Sequence, residues 1–432
     1  MATTNGESSS DNVSRLVQSL SNNAGDLRTG DAKARDAMIT DAFRLIAALE
    51  TPHETFLRIS WQYSSHPAIL RLASDMKLFE NLASDDGSPK SSKQLADALS
   101  PPADPRLVLK VLKILASFYV VQEVDTDVFA PTPFSTSMSQ QVWKEALALI
   151  VPYVTQTKIK LPAYFQDTKY QLPTNALDAP VQYANDVRGK MHFFELMRRD
   201  GQMHNLESFM RVMLDGRPHW SDEKAGYYPI RERLVTGAES RDGAVFLVDV
   251  GGGQGQDFPR LLANVPEEEI PGRLVLQDMP DVVASIPEGS LPACVEQQGY
   301  DFFTEQPVKG KLVAVEGISA STNTQAGARV YFMHSIIHNH PDQVAKQILI
   351  RVAAAMKRDY SKLLLWDHVM PDKGAAANPC CLDVEMMTFY AASQRSEGEW
   401  KALLEDPEVG LKITDVVRYS PHDQTIIEVE LA

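Results

Sequence analysis

The pattern of apolar and polar positions changes near residue 240. Before that point apolar residues recur every three or four positions, as in amphipathic helices, for example over residues 13–20, 37–49 and 69–82. After it, short apolar runs of strand length alternate with helical stretches. This alternation predicts an α/β domain with a doubly wound, Rossmann-like sheet, preceded by a mainly helical region.

Residues 91–134 have the succession of elements that is typical of a winged helix. One helix is predicted after Ser91 and a second after Asp104, where Pro105 occupies the first turn, and two short strands follow. The predicted domains are a disordered or weakly helical N-terminus (1–35), a winged-helix-like dimerisation domain (36–140), a helical linker and substrate-pocket region (141–240) and the Rossmann-like domain (241–432).

Four strands of the sheet and a terminal hairpin can be predicted from short apolar runs. The hairpin covers residues 411–419 and 425–431. The four strands are predicted at Val245–Val250, Leu274–Gln277, Val330–Met333 and Leu363–Trp366. Because parallel strands of such folds bind ligands beyond their carboxyl ends, the residues after each strand are the candidates for function.

The charge balance disfavours nucleic acid as a partner. The 432 residues include 42 Lys and Arg against 57 Asp and Glu, a formal net charge of −15 at pH 7. Phosphate binding needs a cationic face, and the second helix of the winged-helix pattern offers only Arg106, Lys110 and Lys113. A packing or dimerisation role is therefore favoured over DNA binding.

Cysteine use and the first residues of the chain indicate a cytoplasmic protein. Cys294, Cys380 and Cys381 cannot form a disulfide framework, and the adjacent pair lacks the spacing of a zinc knuckle. Residues 1–11 resemble neither a signal peptide nor a transit peptide. No apolar run approaches the roughly 18 residues that span a bilayer, so no membrane partner is expected.

A glycine-rich segment directly follows the first predicted strand. It runs from Asp249 to Gly255 and contains Gly251, Gly252 and Gly253. Its GxGxG pattern lacks the third glycine of the dinucleotide fingerprint, which is replaced by Gln256. A carboxylate at the strand end suits a sulfonium cofactor, which is cationic and carries no phosphate.

Two further segments suit a nucleoside. Asp278 ends the second predicted strand and could accept hydrogen bonds from ribose hydroxyls, in NAD or in S-adenosylmethionine. Asp301 and Phe302 follow a predicted third strand, where a carboxylate could bind the adenine amino group and an aromatic ring could pack on the base. Each signal alone is weak, because strand-end aspartates often cap and paired phenylalanines often belong to the core.

Three histidines follow the strand that contains Val330. His334, His338 and His340 lie where doubly wound sheets bind ligands, and a neutral imidazole there can take a proton from a phenol. They could also ligate a metal ion. Proton transfer is favoured over metal binding at this position.

Six segments together resemble the plant-type, S-adenosylmethionine-dependent O-methyltransferase family, in particular its fungal members. The resemblance covers nearly the whole chain from about residue 60. It implies S-adenosylmethionine as the cofactor, a winged-helix dimerisation domain, a homodimer and a Rossmann-like catalytic domain. The segments are residues 247–255, 276–283, 299–303, 337–342, 363–374 and 395–400.

The resemblance also implies roles for particular residues. His338 is the expected base, and Asp367 and Gln394 occupy the positions of the two acidic residues that flank it. His334 replaces an arginine of the family, and Asn339-His340 replaces its usual Asp-Trp. The expected cofactor contacts are Asp249, Gly251, Gly252, Gly253, Asp278, Asp301, Phe302 and His334.

The sequence hypothesis is methyl transfer to a phenolic hydroxyl of a small aromatic secondary metabolite. Two alternatives stay open at this point. An NAD-dependent oxidoreductase would share the fold and Asp278, and a non-catalytic regulator would use the winged helix and explain Gln394. The acceptor itself does not follow from the sequence.

Residues 311–327 interrupt the family pattern. The turn that ends at Gly310 would lead directly into the strand that begins near Ala328. Codons for residues 310–312, Thr322-Asn323 and 326–327 can encode splice-donor, branch-point and acceptor sequences in frame. We therefore predict that these 17 residues are a retained intron.

Overall fold

The computed structural model describes residues 9–27, 32–214, 216–240, 243–309, 327–420 and 423–432. It divides into two compact units, Met1–Ala163 with Phe194–Asp215 and Tyr164–Phe193 with Gly216–Ala432. The predicted segment 141–240 is thus shared between both units. Apart from Gly327, the predicted insertion lies outside the described residues.

The first half of the chain is mainly helical. Its helices are α1 (Ser9–Leu27), α2 (Ala32–Leu49), α3 (Pro52–Leu57), α4 (Ser64–Asp75), α5 (Leu78–Ala83), α6 (Ser92–Ala98), α7 (Pro105–Ser117), α8 (Pro133–Met138), α9 (Gln141–Leu149), α10 (Gln156–Asp167), α11 (Pro180–Ala184), α12 (Phe193–Arg199) and α13 (Met203–Leu214). Its strands are β1 (Lys90–Ser91), β2 (Val121–Asp125) and β3 (Val128–Pro131). Turns of π-helix lie at Arg58–Tyr63, Ile150–Thr155 and Arg231–Val235.

The two helices of the winged-helix pattern form where the sequence predicts them, whereas the first strand begins at Val121, two residues later than predicted. The Ser91 hydroxyl accepts from the Gln94 amide to begin α6, and the Asp104 carboxylate accepts from the Arg106 amide to begin α7. β2 and β3 form an antiparallel hairpin, and β1 pairs with β3. The buried face of α7 packs into the core of this unit through Val108, Val111, Leu112 and Leu115.

The helices before residue 64 keep large apolar side chains exposed. The N-terminal apolar surface, as we call it, consists of Phe43, Ile46, Leu49, Phe56, Ile59 and Trp61. Trp61 is 70% exposed and Phe56 is 65% exposed, which is more than scattered surface apolar residues explain.

The second unit contains the α/β sheet that the alternating pattern predicts. Its strands are β4 (Val245–Val250), β5 (Arg273–Asp278), β6 (Val295–Gly299), β7 (Val330–His334), β8 (Lys362–Asp367), β9 (Val369–Met370), β10 (Arg395–Ser396), β11 (Leu411–Arg418) and β12 (Thr425–Leu431). Its later helices are α14 (Asp257–Asn264), α15 (Pro280–Ala284), α16 (Asp342–Ala353), α17 (Ala377–Tyr390) and α18 (Glu397–Leu404).

Seven strands form one sheet in the order β11-β12-β8-β7-β4-β5-β6. Strands β4 to β8 are parallel and β12 is antiparallel to β8, so the Rossmann-like class and the terminal hairpin are confirmed. All six residues of β4 are buried, as expected for a sheet that is covered on both faces. The carboxyl ends of β4, β5, β7 and β8 therefore meet at one edge.

Candidate active site

The glycine-rich segment is a tight loop between β4 and α14. Gly251 has φ +78°, and the amides of Gly251 and Gly252 donate to the Gln277 carbonyl at 2.8 and 3.1 Å. A Cβ atom on Gly252 would lie 2.4 Å from Asp249 Oδ2 and 2.5 Å from Leu276 Cδ1. Only glycine fits there, because every other residue would force the loop away from the sheet.

Asp249 is a buried carboxylate beneath this loop. It is 1% exposed, and neither of its oxygens has a hydrogen-bond partner among the residues that the structure describes. Burial, and then the negative charges of Asp257 and Asp278, raise the pKa of Asp249 well above its usual range. The ionised form of Asp249 would be stabilised by a cationic ligand at the loop, and a sulfonium cofactor supplies that charge.

Asp278 is anchored by the same loop. Its Oδ2 accepts from the Gly253 amide at 2.8 Å and its Oδ1 from the Met279 amide at 2.7 Å. Burial raises the pKa of Asp278 above its usual value, although both backbone bonds oppose the shift. Each oxygen keeps a further lone pair, so the carboxylate can still accept from ribose hydroxyls.

The structure brings Phe302 to the glycine loop. A Cβ atom on Gly251 would lie 3.7 Å from Phe302 Cε1. The Phe302 ring meets Phe303 and His340 edge to face, with centroids 5.0 and 5.7 Å away. Asp301, the neighbour of Phe302, accepts from the Phe303 amide at 3.0 Å. An aromatic wall next to a glycine loop and two aspartates fits an adenosine group.

His338 lies in a one-turn helix, Ile337–Asn339, that follows β7. Its Nδ1 is 2.9 Å from Asp367 Oδ1, and the other oxygen of Asp367 accepts from the His338 amide at 3.3 Å. Burial acts to raise the pKa of Asp367, but the His338 charge and hydrogen bond outweigh it and lower this pKa below its ordinary value. An ionised Asp367 therefore faces the imidazole.

Gln394 approaches the same nitrogen of His338. Its Nε2 lies 2.8 Å from Nδ1, and its Oε1 is buried without a hydrogen-bond partner in the described part of the chain. Nδ1 can either donate to Asp367 or accept from the Gln394 amide, and only the first tautomer leaves a lone pair on Nε2. With the carboxamide rotated by 180°, its oxygen would share the Nδ1–H with Asp367.

His334 occupies a buried hydrogen-bond chain. Its Nδ1 lies 2.8 Å from Asp257 Oδ2 and its Nε2 lies 3.0 Å from Gln424 Oε1, and its ring stacks on Trp366 with centroids 4.1 Å apart. Burial acts to lower the pKa of His334, but the Asp257 charge and hydrogen bond outweigh it and raise this pKa above its ordinary value. A cofactor contact by His334 would have to replace one of these partners.

Sequence reasoning missed Asp257 and His219. Asp257 is the first residue of α14 and accepts from both His334 and His219, whose Nε2 lies 3.2 Å from Oδ1. The Ser221 amide donates to His219 Nδ1 at 3.3 Å, so His219 is the neutral tautomer that donates from Nε2. The only sequence signal for Asp257 is its place after the glycine loop.

The described residues offer no cluster that could serve as a metal-binding site. No group of three or more His, Cys, Asp or Glu side chains there could hold a metal ion. His340 packs against Phe302 and Phe303, and burial, with the charges of His338, Arg395 and His192, lowers its pKa to about 4.

Among the described helices, none is long and apolar enough to cross a membrane.

Known proteins resemble this chain over most of its length. Residues 235–408 match the model of the O-methyltransferase domain family. The O-methyltransferase mfmE of Annulohypoxylon moriforme is 30% identical over 420 residues, which cover 96% of this chain and 95% of that protein. The O-methyltransferase mpaG of Penicillium brevicompactum is 28% identical over 418 residues, which cover 96% and 98%.

Solved structures show the same fold over 97–98% of the chain. The LepI complex with S-adenosylmethionine has a TM-score of 0.81 at 25% identity and covers 98% of this chain and 100% of its own. OxaC in complex with sinefungin and meleagrin has a TM-score of 0.77 at 21% identity, covering 97% and 99%.

The fold and the site thus define an S-adenosylmethionine-dependent methyltransferase. More narrowly, the chain belongs to the O-methyltransferase family that includes these fungal relatives, and its cofactor is S-adenosylmethionine.

Proposed function

We propose that this enzyme methylates a phenolic hydroxyl of an aromatic secondary metabolite, with His338 as the general base. The observation that carries the proposal is the buried contact between His338 Nδ1 and an ionised Asp367. A carboxylate that accepts the Nδ1–H leaves Nε2 as the lone pair that takes the phenol proton.

Bound S-adenosylmethionine supplies a methyl group that a sulfonium makes electrophilic. His338 Nε2 would take the phenol proton while the phenol oxygen accepts this methyl group, and the donor would be left as a neutral thioether. Asp367 stabilises the imidazolium that results. Asp249, Gly251, Gly252, Asp278, Asp301 and Phe302 are proposed to hold the cofactor.

A phenol is the acceptor that suits this base. A phenolic pKa near 10 lies a few units above that of an ordinary imidazole, whereas an aliphatic alcohol is far less acidic. One structural neighbour, OxaC, has been solved with meleagrin and with oxaline, which are small-molecule ligands of that protein.

The test is a screen of phenolic polyketides and alkaloids with S-adenosylmethionine, read by a gain of one methylene mass. His338→Ala should keep its affinity for S-adenosylhomocysteine and lose turnover, whereas His53→Ala, on the exposed face of α3, should keep both. Calorimetry should show binding of S-adenosylhomocysteine but not of NAD. Unchanged turnover in His338→Ala would reject the base.

The printed description of one structural neighbour names a different reaction class. A structure described as "A Pericyclic Reaction enzyme" has a TM-score of 0.82 at 24% identity and covers 97% of this chain. That likeness shows the fold alone. An isomerised product without added mass, formed while S-adenosylmethionine is not consumed, would favour rearrangement over methyl transfer.

A further inference from the structure

A buried arginine donates hydrogen bonds to the backbone of the turn that carries His338. Arg395 is 2% exposed and donates from Nη1 to the Ile337 carbonyl at 3.1 Å and from Nη2 to the His340 carbonyl at 2.7 Å. Its Nε donates to Asp342 Oδ1 at 2.9 Å. One guanidinium therefore satisfies backbone groups on both sides of the base.

Arg395 also lies next to the segments that supply Gln394 and Asp367, the two side chains that contact His338 Nδ1. Gln394 directly precedes it, and β10 pairs in parallel with β9, which begins two residues after Asp367. The guanidinium carbon lies 5.3 Å from the centroid of the Trp400 ring, and the Trp400 indole donates to the His368 carbonyl at 3.1 Å. The arginine thus joins the turn of the base to the residues that orient its imidazole.

We propose that Arg395 is a positioning residue for the base. It fixes the turn so that the hydrogen on His338 Nδ1 points at Asp367. A lysine would keep the positive charge but not this function. Each of the three nitrogens of the planar guanidinium donates to a different acceptor, and a single ammonium group cannot reproduce that geometry. The inference rests on the proposed role of His338, although its main test needs no substrate.

The first experiment observes the base directly. Full-length protein labelled with ¹⁵N-histidine should give a downfield Nδ1–H resonance for His338, identified by its loss in His338→Gln. Arg395→Lys should move this resonance upfield or broaden it. The matched control is Arg418→Lys, since Arg418 pairs with the exposed Glu397 on the surface, and it should leave the resonance unchanged.

The second experiment separates positioning from general stability. Once an acceptor is found, Arg395→Lys should lower kcat by about 10- to 100-fold, because a displacement of about 1 Å can cost that much. The Kd for S-adenosylhomocysteine should stay within threefold. If the lysine variant fails to fold, Arg395→Ala with added guanidinium should recover the resonance.

Three results would overturn the proposal. The first is an unaltered His338 resonance in Arg395→Lys. The second is a kcat of that variant within twofold of wild type. The third is a loss of S-adenosylhomocysteine binding in parallel with kcat. A screen that finds no phenolic acceptor would instead reject the proposed function and leave the resonance experiment valid.

Discussion

Deleting Lys311–Gly327 is expected to leave a folded protein that binds the cofactor. The two flanks of the segment meet at one hydroxyl group. Tyr331 Oη lies 2.6 Å from the Val308 carbonyl oxygen and accepts from the Ala328 amide at 3.3 Å. Val308 O and Ala328 N are therefore no more than about 6 Å apart. Two residues can close that gap, because a β-turn joins such a pair of groups over four residues.

The deletion also preserves a required glycine. A Cβ atom on Gly327 would lie 2.6 Å from the Ala355 carbonyl oxygen, so the residue before Ala328 must be glycine. In the shortened chain Gly310 precedes Ala328 and takes this place. It would also be the third residue of a turn from Val308, a position where glycine is favoured.

Shortening the connection should stabilise the fold. The residues between Val308 and Ala328 fall from 19 to two, about three halvings of loop length at roughly 0.6 kcal/mol each, which gives about 2 kcal/mol. For a unit of this size that corresponds to a rise in Tm of roughly 4–8 °C. Differential scanning calorimetry measures the rise, and calorimetric titration with S-adenosylhomocysteine confirms that the site is intact.

Two controls make the result specific. A variant in which residues 311–326 are replaced by Gly-Ser sequence of equal length should not gain this stability. Gly310→Ala in the shortened chain should lose much of it, because the new Cβ would meet the Ala355 carbonyl. A deletion that lowers Tm or abolishes binding would refute the reasoning. Transcripts that retain all 17 codons in the dominant message would reject the prediction of a retained intron.

Four further results are expected. Gly252→Ala should weaken S-adenosylhomocysteine binding about 10- to 100-fold in calorimetry, because its Cβ would overlap the Asp249 carboxylate by about 1 Å and overpacking costs roughly 1–3 kcal/mol. The control Gly398→Ala should leave binding unchanged, because its Cβ would only touch Ser396 Oγ at 4.0 Å. In Gln394→Glu the new carboxylate can only accept a hydrogen bond from His338 Nδ1. We therefore expect kcat at high pH to rise and the acid limb of the kcat/KM profile to move to higher pH. An acid limb that does not move would contradict this. The raised pKa of His334 gives stability that is complete below about pH 6.5 and is lost as pH rises through the folded value, so His334→Gln should lower Tm more at pH 6 than at pH 9. The N-terminal apolar surface should pair in a symmetric dimer, and light scattering that shows only monomer at micromolar concentration would exclude it.

The sheet and its loop were predictable because their signals are local. The apolar run defines the extent of the strand at Val245–Val250, and the glycines after it mark its end. The structure has the same bounds. The position of Asp278 follows from the parallel sheet, which aligns the carboxyl ends of neighbouring strands. The helices of the winged-helix pattern likewise follow from caps at Ser91 and Asp104.

The contacts around His338 could not be predicted from the sequence, because they join segments that are distant along the chain. Family resemblance assigned Asp367 and Gln394 to the flanks of His338, but only coordinates bring both to Nδ1. One ring nitrogen carries one hydrogen, so an acceptor and an amide donor compete to set the tautomer. A glutamate at position 394 would remove the competition. In the proposed mechanism the orientation of the Gln394 carboxamide therefore decides which tautomer of His338 the enzyme holds.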